Sequence, residues 1–307
     1  MKKIYSGIEE LVGQTPLVHL QKWEKKNNLK ANIVAKCEFY NPLFSIKDRV
    51  SLSMLEKLEQ EGRISEDTIF VEATSGNTGI ALAAFMASKG YKLVIVMPEN
   101  MSKERVSLIK YFGAEVILTP KEDGMQGAIT KVNLLKDKNP NVIVLDQFSN
   151  EANTDAHRFG TSIEILEATK GNVDVLIAGI GTAGTLCGVA STLKSNNPDL
   201  YVVGVEPKAS AVLNGKKAGV HNIPGIGAGI VPPLYDKSLV DEIVDVADDD
   251  AWETAKKLSQ TEGLPIGISS GAALWAATQI AKNQKFVGKQ IVVIFPDAIN
   301  NYLSMLK

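Results

Sequence analysis

The 307-residue chain has little of what holds metals or closes disulfides: two cysteines and three histidines. Cys37 and Cys187 each sit inside an apolar segment, so both are expected as buried reduced thiols. His19, His157 and His221 share no ligand spacing with one another or with the cysteines, and no metal is expected. Neither sign of charge is in excess. Thirty-three Lys and Arg against 35 Asp and Glu leave −2, which gives no ground for a nucleic acid or an anionic membrane as partner. No run reaches the ~18 apolar residues of a membrane span. Between Ile4 and Glu10 two acids stand where a secretory signal would carry an apolar core, so the cytoplasm is the expected location. Internal repeats and low-complexity tracts are also missing.

What is present is alternation. Short β-rich runs at about 32–39, 68–72, 92–97, 115–118, 142–145, 173–178, 200–205, 243–246 and 290–295 take turns with amphipathic stretches. The latter lie at about 47–61, 77–89, 102–112, 125–137, 151–169, 184–195, 249–262, 270–283 and 298–306. That rhythm predicts an α/β protein built of βαβ units, with mainly parallel sheet covered by helices on both faces. One stretch breaks it: about 207–241 is irregular and rich in glycine, as functional loops often are.

Four stretches carry candidate chemistry. Asn41 to Arg49 follows an apolar run and opens a helix close to Lys47. An amine there meets the positive end of the helix dipole, which disfavours a cation, although a lone turn lysine reads first as a solvated charge. Glu72 to Gly79 joins a strand to a helix through Thr74, Ser75, Gly76, Asn77 and Thr78. Such residues cap a helix, and more of them are gathered than one cap needs, so they also suit a small anion such as a carboxylate. Gly179 to Gly184 reads G-x-G-x-x-G, with Glu206 closing the next strand where a ribose-binding acid belongs. The hydroxyls of Thr182 and Thr185 suit a terminal phosphate as well, so a dinucleotide and a phosphate monoester both remain open. Gly267 to Ala273 begins a further helix with Ser269 and small residues.

Together these stretches resemble the cysteine synthase (O-acetylserine sulfhydrylase) and cystathionine β-synthase family of fold-type II pyridoxal-phosphate enzymes. The matched motifs are Gly13–Leu17, Asn41–Arg49, Thr74–Gly79, Met97–Glu99, Gly124–Ala128, Gln147–Phe148, Gly181–Thr185, Gly225–Gly229 and Gly267–Ala272, in the family's order. The resemblance implies two doubly wound domains like those of the tryptophan synthase β chain, with the cofactor in the cleft between them. Residues 1–40 and 148–307 are expected as the large cofactor-binding domain, and 41–147 as a smaller mobile one. Lys47 matches the lysine that forms the Schiff base and shuttles the Cα proton. Gly181, Thr182, Ala183, Gly184 and Thr185 match the phosphate loop, in which the family usually has glycine at position 183. Asn77 matches the partner of the ring hydroxyl, and Ser269 the partner of the ring nitrogen. Thr74, Ser75, Thr78 and Gln147 match the clamp on the amino-acid carboxylate, and Gly76, Met125, Gly225 and Ala228 are assigned to the same substrate site.

The implied reaction is β-replacement or β-elimination on a serine or cysteine derivative through an aminoacrylate, foremost the synthesis of cysteine and acetate from O-acetylserine and sulfide. Release of hydrogen sulfide from cysteine, or lanthionine or cystathionine synthesis, is the alternative. Phe295 to Leu303 is closer to the cystathionine β-synthase form, and Ala156 to Ile165 replaces a common cysteine synthase segment. Two other readings remain: a nicotinamide-dependent oxidoreductase built on Gly179 to Gly184, and a non-catalytic relative. Amino acid and sulfide or thiol are the expected small-molecule partners, and a homodimer is expected.

Overall fold

The computed structural model describes residues 4–74, 76–99 and 102–306. The chain begins with a 3-10 turn (Ile8–Leu11), β1 (Leu17–His19), α1 (Gln21–Lys26) and β2 (Asn32–Cys37). It continues through α2 (Lys47–Gln60), β3 (Ile69–Ala73), α3 (Asn77–Lys89), β4 (Lys92–Pro98), α4 (Lys103–Tyr111), β5 (Glu115–Thr119), α5 (Gly124–Lys138) and β6 (Val142–Val144). After α6 (Glu151–Ala156) come a π-helical turn (His157–Thr161), α7 (Ser162–Thr169), β7 (Val175–Gly179), α8 (Gly184–Asn196) and β8 (Tyr201–Pro207). The last elements are β9 (Glu242–Val246), α9 (Asp248–Glu262), α10 (Ile268–Ala281), β10 (Gln290–Phe295) and a 3-10 segment (Ile299–Met305). Among the described residues no helix is long and apolar enough to cross a membrane.

These elements form two compact units, each with its own sheet. The smaller falls within Met1–Val12 and Lys47–Asn153, the larger within Gly13–Ile46 and Thr154–Lys307. In the larger, six strands run in the order β1-β2-β10-β7-β8-β9, parallel except for β1 against β2. In the smaller, four parallel strands run in the order β5-β4-β3-β6. Parallel sheet of this kind needs helical crossovers, which is why the alternation in the sequence was informative.

The boundaries differ from those expected, for three physical reasons. The first 3-10 turn belongs with the smaller unit, where Ser88 Oγ donates to Glu9 at 2.8 Å. Residues 41–46 belong with the larger sheet, to which Ile46 N donates through the Pro296 carbonyl at 2.8 Å. Residues 148–153 stay with the smaller unit, where Ser53 Oγ donates to the Ala152 carbonyl at 2.8 Å.

Both faces of the larger sheet are buried. Ile33, Val175, Ile177, Val203, Ile291 and Val293 pack with Leu258, Ala273 and Ala277 of α9 and α10. Their neighbours Leu176, Val202, Val292 and Ile294 pack with Leu186, Val189 and Leu193 of α8. Each such side chain contributes ~1.5–3 kcal/mol by leaving water. Helix α10 is buried almost all round and is built mainly of small residues. A Cβ at Gly271 would lie 2.2 Å from the Ala251 carbonyl oxygen and 2.8 Å from Ala255 Cβ. Gly271→Ala should therefore push α9 off α10 and cost about 1–3 kcal/mol, read as a lower urea midpoint.

Candidate active site

In the smaller unit the chain leaves β3 at Ala73 and turns into α3, with Asn77 as its first residue. Thr74 is buried and its Oγ1 accepts from Gly76 N at 3.3 Å, while Gly79 N closes the turn on the Gly76 carbonyl at 3.0 Å. Ser75 lies outside the described residues. Thr78, also buried, donates from Oγ1 to Gln147 Oε1 at 2.7 Å. The structure thus brings together Thr74, Gly76, Asn77, Thr78 and Gln147. Met125, in α5, is partly buried and packs against the cluster of Val71, Val96, Ala128 and Val132.

Glu72 had no role in the sequence reading. Its side chain is 3 % exposed, and its carboxylate accepts from Asp146 N at 2.9 Å and Gln147 N at 3.3 Å. Burial pushes its pKa up to about 7 against the pull of those amides. An acidic residue ending an apolar strand and preceding a turn rich in Thr, Ser and Asn was the available signal.

Lys47 is the first residue of α2 and half-buried. The two residues before it are fixed in the larger unit: Ser45 bridges to Asp297, and Ile46 N donates to Pro296 O. The same extension of β10 receives the start of α10, since Asp297 O accepts from Gly267 N at 3.0 Å and Ser270 Oγ at 3.3 Å. Ser269, 2 % exposed, stands in that first turn. Tyr302 donates its hydroxyl to the Asp297 carboxylate.

Gly181 to Thr185 lead from β7 into α8. A Cβ at Gly181 would lie 2.4 Å from the Gly225 carbonyl oxygen, so the irregular segment at 207–241 closes directly on this loop. Gly225 and Ala228 are exposed. Thr182 Oγ1 accepts from Gly184 N at 3.4 Å, and Thr185 Oγ1 lies 3.2 Å from His157 Nε2. His157 is fully buried in the π turn, with Nδ1 2.9 Å from Thr161 Oγ1. The sequence reading ran one helix over 151–169 and gave His157 no role. Ala183, where the family usually has glycine, has its backbone in the left-handed region, with φ at 67°.

The family model for pyridoxal-phosphate dependent enzymes matches residues 8–297. The chain belongs to that family. It is 44% identical to cysteine synthase B of Campylobacter jejuni over 302 residues, 98% of each chain. A crystal structure of cysteine synthase from Entamoeba histolytica superposes with a TM-score of 0.96 at 42% identity, covering 100% of this chain and 92% of that one. A hydrogen sulfide-producing enzyme from Fusobacterium nucleatum has a TM-score of 0.93 at 42% identity, covering 98% and 100%. The chain is thus a fold-type II pyridoxal-phosphate enzyme.

The dinucleotide alternative falls with that membership. Glu206, which would have bound a ribose, instead accepts from Leu213 N at 3.0 Å and Asn214 N at 2.9 Å. The donor set at 181–185 fits the cofactor's phosphate: backbone amides at the start of a 13-residue helix, two hydroxyls and a cradle kept open by a glycine.

Two outcomes follow from these strained and buried groups. Ala183→Gly relieves a left-handed alanine and should raise stability by about 0.5–1 kcal/mol, measured by urea unfolding. For Glu72, burial raises the carboxyl from its ordinary 4.5 to about 7 in the folded state. The folded state therefore holds an extra proton within that window, and stability falls as pH rises through it, by about 3 kcal/mol in all. Glu72→Gln should lack this slope in urea midpoints compared across the same window.

Proposed function

We propose that this enzyme is a cysteine synthase, replacing the acetoxy group of O-acetylserine with sulfide to give cysteine and acetate. The observation that carries this is the near end-to-end match to cysteine synthases. When bound, pyridoxal phosphate supplies an electron sink conjugated to the substrate's Cα, which makes the Cα proton acidic and lets a β-substituent leave.

The chain's own residues do the rest. Gly181, Thr182, Ala183, Gly184 and Thr185 hold the phosphate. Asn77 would donate to the ring hydroxyl. Ser269 would meet the ring nitrogen with a neutral hydroxyl, which, unlike a carboxylate, would not force that nitrogen to stay protonated. Lys47 would hold the cofactor through Nζ, and the same amine would serve as the general base and acid for the Cα proton. Thr74, Ser75, Thr78 and Gln147 clamp the substrate carboxylate and exclude water around it. Likeness to the hydrogen sulfide-producing enzyme supports a second reading, in which the same residues remove a thiol from cysteine.

Product analysis separates the two. O-acetylserine plus sulfide should yield cysteine and acetate at a rate far above that at which cysteine alone yields sulfide; the reverse ranking selects the second reading. Lys47→Ala should keep the fold by circular dichroism and lose turnover under both conditions, and steady-state activity in that variant would remove the role given to Lys47.

A further inference from the structure

The ladder between β3 and β6 ends at the pair Val71 and Val144. Beyond it the chain turns away, and amides of the turn at Asp146 and Gln147 need an acceptor that the ladder no longer supplies. Glu72, the next residue on β3, provides it with both carboxylate oxygens, at 2.9 and 3.3 Å. Asp146 holds φ at 51°, a conformation that non-glycine residues adopt only when something imposes it. The Gln147 carbonyl accepts from Asn153 Nδ2 at 2.7 Å, and the Gln147 side chain meets Thr78 Oγ1.

We infer that Glu72 is a positioning residue for recognition of the amino-acid carboxylate, fixing the Gln147 turn against the Thr74 to Thr78 turn. This rests on the carboxylate-site reading proposed above, and Glu72 acts through Gln147 rather than on the substrate. A carboxylate suits the task because it offers two acceptor oxygens to two successive N–H groups, whereas glutamine keeps one acceptor and turns an NH₂ donor against the other amide.

The test uses holoenzyme and two probes, L-serine and its carboxylate-free counterpart ethanolamine, with binding followed by the cofactor's absorbance. In Glu72→Gln the dissociation constant for L-serine should rise roughly tenfold while that for ethanolamine stays unchanged. Hydrogen exchange at the Asp146 and Gln147 amides should speed up. Unchanged L-serine binding, or equal loss for both probes, overturns the inference, because a merely structural role would not discriminate between them. If Glu72→Gln does not fold, Glu72→Asp, which keeps the charge but shortens the reach, carries the same expectation and the same refutation. Gln147→Ala is the control. If it too binds L-serine normally, the carboxylate-site reading falls and the inference with it; if it loses affinity while both Glu72 variants do not, the Glu72 assignment alone falls.

Discussion

The carbonyls of Pro296 and Asp297 hold together two segments that lie far apart in sequence. Pro296 O receives Ile46 N, directly before Lys47, and Asp297 O receives Gly267 N and the Ser270 hydroxyl at the start of α10. Both sit on the extension of β10, a strand paired on one side with β2 over six positions and on the other with β7. A strand so placed is rigid, and what hangs from its end inherits that rigidity. The contact also dictates local sequence: a Cβ at Gly267 would lie 2.1 Å from Asp297 Oδ1, so only glycine fits there. The same short stretch therefore fixes both the residues that precede Lys47 and the start of Ser269's helix.

Buried charge serves the same end elsewhere. Lys36 is fully buried, and its Nζ donates to Thr15 O at 2.5 Å and to Glu164 Oε2 at 2.5 Å. Glu38 accepts from Thr15 Oγ1 at 2.6 Å and from Asn41 Nδ2 at 2.9 Å, and Asn41 Oδ1 accepts from Gly13 N at 2.8 Å. Replacing such a network with apolar side chains would often be neutral for stability, so its value lies in specifying one arrangement. Here that arrangement joins the first matched motif to the loop that leads to Lys47.

Much of this was readable in the chain. The parallel strands and their crossover helices announced themselves through alternation, because both periodicities persist over whole elements. Strand β1 and helix α1, three and six residues long, went unread. The π turn at His157 was invisible for another reason. Its residues are compatible with helix, and the departure accompanies a long-range contact with Thr185 on α8. A Cβ at Gly188 would meet Thr154 O at 2.4 Å and His157 Cβ at 2.9 Å, so α8 presses on that turn. Glu72 was legible only in part: its place between an apolar strand and a polar turn marked it, but its partners, the amides of a turn more than seventy residues away, did not show locally.

The backbone outliers show where the fold concentrates strain. Among the described residues, six non-glycine residues have positive φ: Gln14, Asn28, Phe44, Asp146, Lys170 and Ala183. Asn28 and Lys170 lie just past the ends of α1 and α7, where left-handed residues are ordinary. The other four lie in or beside the motifs that carry the family resemblance. Gln14 is held by Glu164, which accepts its amide at 2.9 Å; Phe44 N donates to Asn41 O at 2.9 Å; Asp146 is held by Glu72; and Ala183 O receives Cys187 N at 3.0 Å. Each such conformation costs on the order of 1–3 kcal/mol and persists only where other contacts over-determine it. Two of the four are imposed by buried or partly buried carboxylates reaching in from another segment. Glu72 and Glu164 thus act as braces, and the turns they brace lie in or beside the motifs that carry the family resemblance.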